Sequence, residues 1–248
     1  MKTDVSIPMP DGDARAFVFT PDSGAGPWPA AILYMDAPAI RPAMFEMGER
    51  LAQAGYYVLL PDVFWRAGPY RPLDIVKARG RDPDEVALFQ KLRGSTDATR
   101  QMSDTRAYLD WLSKQPQAKA DRVGVTGYCM GGGIALRAAG TFPNRIAVAA
   151  SFHGGNLATD DDNSIHKLAP QMKAKILVAG ADEDRSFDEA QCERLDAALK
   201  DAHLDAKVSI WKGMKHGWVP TDMPVHDAAG AERHWEELVD LFDEVLKD

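Results

Sequence analysis

The strongest constraint on this chain is an alternation. Short β-rich runs bounded by turn residues are interleaved with stretches whose apolar residues recur every three or four positions. The runs lie at 15–20, 30–34, 56–60, 122–126, 146–152, 176–179 and 206–211. Several are apolar from end to end, the pattern of strands buried on both faces in a parallel sheet. The turn signal Pro10-Asp11-Gly12-Asp13 predicts a hairpin ahead of the first run. Helical periodicity covers 43–54, 99–114, 188–200 and 231–246. In the last of these Trp235, Leu238, Val239, Phe242, Val245 and Leu246 form one stripe, as in a docking helix.

Strand–helix–strand repetition implies right-handed crossovers and an open twisted sheet. The expectation is an α/β fold of about seven or eight mostly parallel strands, helices on both faces, in a single domain over 1–248. Residues 66–94, rich in Arg, Asp, Pro and Gly, read as an irregular excursion over the sheet's carboxyl edge, where ligands of such folds sit.

Charge narrows the partners. The chain carries 29 Lys+Arg against 37 Asp+Glu, a net −8, with no basic cluster to meet a nucleic acid. No apolar run approaches the ~20 residues that cross a bilayer, and Asp4 and Pro8 interrupt the N-terminus where a signal peptide needs an apolar core. The two cysteines, Cys129 and Cys192, cannot build a disulfide scaffold, so a reducing, cytoplasmic setting with free thiols is expected. His166, His203, His226 and His234 lack ligand spacing, and no metal site is expected.

One stretch carries chemistry. A strand runs into Gly127-Tyr128-Cys129-Met130-Gly131 and then into small, helix-forming residues. This is the G-x-S-x-G nucleophile elbow with Cys in place of Ser. Side chains at either glycine would collide with the adjoining strand and helix. The thiol is thereby lifted clear of the sheet at a helix N-terminus, which favours thiolate. The Met130 N–H points where an oxyanion would form. A base is needed, and His216 sits in a Gly-flanked loop after the last predicted strand. Chain order in such folds places the acid between nucleophile and histidine, after a strand, which leaves Asp182, Glu183 and Asp184 as candidates.

The chain resembles the dienelactone hydrolase family of the α/β-hydrolase superfamily. The resemblance runs from about Asp11 to the C-terminal helix. It is carried by GYCMGG at 127–132, LPDVF at 60–64, GMKHGW at 213–218 and AERHW at 231–235. It implies an α/β-hydrolase fold, a Cys129–His216–Asp184 triad, no cofactor, and hydrolysis of a small-molecule ester or lactone through a thioester. Asp184 is favoured over Asp182 because the family's acid precedes an apolar residue by three positions, here Phe187. A second oxyanion donor is expected from the 36–37 loop, at Ala37. Tyr128, His153 and Trp218 are expected to line the substrate site, with Asp36 where the family has a glutamate that interacts with the cysteine. The family's arginine after the catalytic histidine is absent: Gly217-Trp218-Val219-Pro220 stands there. Arg41, Arg79 and Arg81 are candidates to hold an anion in its place.

The same triad would also serve an acyltransferase or an amidase, and the fold would also serve a non-catalytic binding or redox-sensing protein. A homodimer is left open.

Overall fold

The computed structural model describes residues 1–247. Eight strands form one sheet: β1 (Lys2–Met9), β2 (Gly12–Phe19), β3 (Trp28–Tyr34), β4 (Tyr57–Pro61), β5 (Ala118–Tyr128), β6 (Ile146–Phe152), β7 (Lys175–Ala181) and β8 (Ala206–Trp211). Their order is β1-β2-β4-β3-β5-β6-β7-β8. The expected hairpin is present, with Met9 opposite Gly12 across an antiparallel β1–β2 pair, and β2 joins β4 antiparallel. From β4 to β8 every pairing is parallel. The unbroken apolar runs have the expected cause: every residue of β4 is buried, and β6 and β7 are nearly so. On the edge strand β1 the pattern alternates near its end, with Ile7 and Met9 inward.

Helices cover both faces. α1 (Pro42–Gln53) and α7 (Ala228–Leu246) lie on one, tied together by Arg50 and Glu232. α4 (Ala98–Leu112), α5 (Met130–Thr141) and α6 (Glu189–Asp201) pack on the other. The stripe on α7 docks as expected: Trp235, Leu238 and Phe242 are buried, each contributing about 1.5–3 kcal/mol. Its start is fixed by the Asp227 carboxylate, which accepts from the Gly230 N–H at 2.7 Å.

The stretch 66–94 departs from expectation. It holds two helices, α2 (Ile75–Arg79) and α3 (Pro83–Gly94). The start of α3 has ordinary signals, Pro83 at its first turn and an Asp82 carboxylate accepting from Asp84 and Glu85 N–H groups. Its buried residues are Glu85 and Leu92 only, so no apolar stripe advertises it. Both helices roof a cavity, and of their buried side chains only Leu92 joins the main core.

Strand order sets the site. From β3 the chain steps outward to β4, then returns to β5 on β3's other side. Successive connections diverge there, opening a crevice beyond the carboxyl ends of β3 and β5.

Candidate active site

β5 ends at Tyr128, and α5 starts at Met130. Cys129 between them has φ +54°, a left-handed backbone rare for a residue with a side chain. The glycines make this turn feasible. A Cβ on Gly127 would lie 2.0 Å from the Gly131 carbonyl oxygen, and one on Gly131 would lie 2.3 Å from that of Tyr34. Gly131 therefore lets the start of α5 pass against the exit of β3, which brings the 36–37 loop beside Cys129. Met130 opens the helix, so its N–H has no carbonyl one turn earlier to donate to. Cys129, Met130, Ala37, Asp184 and His216 line one cavity of about 640 Å³.

Asp184 follows β7 and His216 follows β8, neighbouring strands that hold their loops together. The Asp184 Oδ2 atom lies 2.6 Å from His216 Nδ1, while its Oδ1 accepts from the Ser186 N–H and hydroxyl at 2.8 and 2.7 Å. Asp182 is occupied elsewhere, accepting from the Gly213 N–H at 2.9 Å and from Lys212. Of the acids left open by chain order, Asp184 is the one against the histidine. Burial alone would push the His216 ring down; hydrogen bonding to Asp184 and interaction with the Cys129 side chain outweigh it and lift its pKa to about 10. Asp184 is held below the usual carboxylate range: burial raises it, but His216 and Ser186 more than offset that.

The expected substrate-lining residues sit differently. Side chains alternate across a strand, so Tyr128 points from β5 to the face opposite the cavity. There it stacks on Phe152 at 5.8 Å and shares a 2.8 Å hydrogen bond with His234 of α7. Trp218 is fully buried between Trp211 and His153. Neither lines the cavity. His153 is one layer behind it. The Cys129 N–H donates to its Nδ1 at 3.1 Å, which puts the proton of the neutral ring on Nε2. Complete burial, with His216 and His234 nearby, holds its pKa well below the usual histidine value. It braces the elbow from beneath.

Asp36 is also buried, and Arg41 takes both its oxygens, at 2.5 and 2.9 Å. Arg41 donates further to Asp222 at 2.6 and 3.0 Å and to the Ala39 carbonyl at 3.1 Å. Its five N–H donors are thus spent, so of the three arginines offered as anion holders this one is withdrawn. Arg79 borders a neighbouring cavity, and Arg81 lines neither. Two arginines that sequence reasoning missed, Arg93 and Arg137, line the cavity itself. For Arg137 a signal existed: Met130, Gly133, Ile134 and Arg137 follow the elbow at helical spacing on one face.

An eight-stranded, mostly parallel sheet in this order, with helices on both faces and a sharp strand–helix elbow after β5, is the α/β-hydrolase fold. The model of the dienelactone hydrolase family matches residues 14–246, and the chain belongs to that family. A Synechocystis sp. protein named "putative carboxymethylenebutenolidase" is 23% identical over 246 residues, covering 98% of this chain and 96% of the relative. Among solved structures, a "putative dienelactone hydrolase" from Klebsiella pneumoniae superposes with a TM-score of 0.84 at 22% identity, covering 98% of both chains. A dienelactone hydrolase from Anabaena variabilis gives 0.70 at 18% identity, covering 99% of this chain and 98% of that one. At these identities the structures share the fold. Among the described residues no helix is long and apolar enough to cross a membrane.

Proposed function

We propose that this chain is a cysteine-dependent hydrolase of carboxylic esters or lactones, working through Cys129, His216 and Asp184. One observation carries the reading: a 2.6 Å Asp184–His216 contact opens onto the same cavity as a cysteine held at positive φ between strand and helix.

The raised pKa of His216 keeps its ring protonated at neutral pH, and the nucleophile proposed beside it is Cys129, reacting as the thiolate. The thiolate attacks the substrate carbonyl carbon, and the oxyanion that forms accepts from the Met130 and Ala37 N–H groups. Collapse breaks the carbon–oxygen bond, and His216 gives its proton to the departing alkoxide. The neutral ring then takes a proton from water, whose oxygen attacks the thioester. Breaking the carbon–sulfur bond releases the acid and restores the thiolate. Asp184 keeps the ring's Nδ1 proton in place and stabilises the imidazolium. Both cysteines are free thiols, which suits the reducing, cytoplasmic setting inferred for the chain.

The test is intact-mass spectrometry with 4-nitrophenyl acetate under rapid quench. The expected result is a burst of 4-nitrophenol and an acetyl adduct mapped to Cys129, both lost in Cys129→Ala. Full turnover by Cys129→Ala would overturn the reading.

A further inference from the structure

Two cavities meet at the catalytic histidine, and they differ in chemistry. The larger contains Cys129 and extends along α5 to Arg137, with Gln101 and Asn156 also on its wall and Arg93 at its exposed rim. The second, about 370 Å³, lies under α2 and α3 and is lined mostly by apolar side chains, Leu73, Ile75, Val86, Phe89 and Met223 among them, with Arg79 and an Arg71-paired Glu85 also on its wall. Ala37, Phe89 and His216 border both; Cys129 borders only the first.

Arg137 is the unusual group. It is partly buried, its Nη2 donates to the Asn163 carbonyl at 2.8 Å, and no carboxylate among the described residues neutralises it. The carboxylates of the same cavity are engaged elsewhere, Asp184 by His216 and Asp97 by Arg100. Eight residues of helix separate Cys129 from Arg137, about 12 Å of rise, and helical side chains lean back toward the N-terminus. Arg137 and Cys129 thus stand on the wall of one cavity, with Gly133, Ile134 and Ile165 also lining it.

We infer that the natural substrate is a two-ended ester: an acyl group bearing a distal carboxylate held by Arg137, joined to an apolar alcohol seated under α2 and α3. The inference rests on the proposed hydrolase reading. The assignment of ends follows from the reaction. The acyl group stays on Cys129 and so occupies the cavity containing it. The alcohol must leave beside the proton donor, in the cavity that His216 borders and Cys129 does not. Arg93 and Arg79, which also border the two cavities, are exposed to solvent, whereas the partly buried Arg137 asks for a negative charge.

The test compares ethyl, butyl and hexyl hydrogen adipate with the alkyl hexanoates, in which a methyl replaces the distal carboxylate. Alcohol release is followed in wild type, Arg137→Gln and Arg137→Lys. The expected wild-type preference for the adipates is about 10- to 100-fold in kcat/KM. Arg137→Gln should abolish that preference and Arg137→Lys should keep part of it. Each added methylene of the alcohol should raise kcat/KM about two- to fourfold. Equal rates on adipates and hexanoates in wild type, or an equal loss on both in Arg137→Gln, would overturn the carboxylate site. A flat response to alcohol length would overturn the apolar one. Acylation of Cys129 by 4-nitrophenyl acetate but by none of these esters would overturn the substrate assignment, whereas no acylation by either would remove the hydrolase reading beneath it.

Discussion

Arg41 clasps both carboxylate oxygens of Asp36, at 2.5 and 2.9 Å, with both side chains 3% exposed. The same guanidinium reaches Asp222, so one side chain joins the loop after β3 to the segment after His216. Burial drives the Asp36 carboxyl up, and Arg41 opposes it. The pair is therefore structural, a clamp between two loops of the site.

Breaking the clamp from one side leaves a buried charge alone. Arg41→Met should lower the free energy of unfolding by about 3–5 kcal/mol. Arg41→Met/Asp36→Asn should recover a large part of that, because the stranded charge is gone. Urea unfolding followed by tryptophan fluorescence measures both. Equal stability of the single and double variants would show that Asp36 is not the group Arg41 neutralises.

The Asp184–His216 contact predicts a pH dependence. A histidine whose folded pKa stands near 10 against an ordinary 6.5 stabilises the native state fully below 6.5. That contribution disappears as pH rises through 10. In the proposed mechanism the imidazolium is the donor to the leaving group, and it is lost over the same interval. In wild type, kcat/KM should hold through neutral pH and fall on an alkaline limb near 10. Asp184→Asn should move that limb toward neutrality and cut kcat about 10²- to 10⁴-fold. An unmoved limb in Asp184→Asn would detach Asp184 from the titration.

Much of this was legible in the sequence because the signals were local. The strands 146–152 and 206–211 coincide with β6 and β8, since apolar runs flanked by turns have few other solutions. GYCMG announced a turn that side chains at 127 and 131 would forbid, and the turn is there. What was not legible depended on direction. Tyr128 is one residue from Cys129 yet faces α7, a consequence of strand alternation that a motif does not spell out. The helices α2 and α3 escaped notice because Ile75, Val86 and Phe89 face a cavity and solvent. Arg41 read as a free cation because neither partner shares a regular element with it: Asp36 meets it across a loop, and Asp222 is 181 residues away.

Two glycines separate steric need from tolerance. At Gly127 a methyl group would lie 2.0 Å from the Gly131 oxygen and 2.2 Å from its carbonyl carbon, both backbone atoms that no rotamer can move. Gly127→Ala must push α5 away from β5, taking Cys129 and the Met130 N–H with it. The expected loss is on the order of 4 kcal/mol, with activity lost in whatever folds. Gly94, the last residue of α3, is exposed and has nothing within 4 Å of an added Cβ. There alanine narrows the unfolded ensemble at no native cost, and Gly94→Ala should stabilise by about 0.4–1 kcal/mol. For a chain of this size that is a rise of roughly 1–4 °C in Tm. Scanning calorimetry of the two variants beside wild type decides the matter. A Gly127→Ala protein melting within 2 °C of wild type, roughly 1 kcal/mol or less, would mean that the elbow has room its geometry denies.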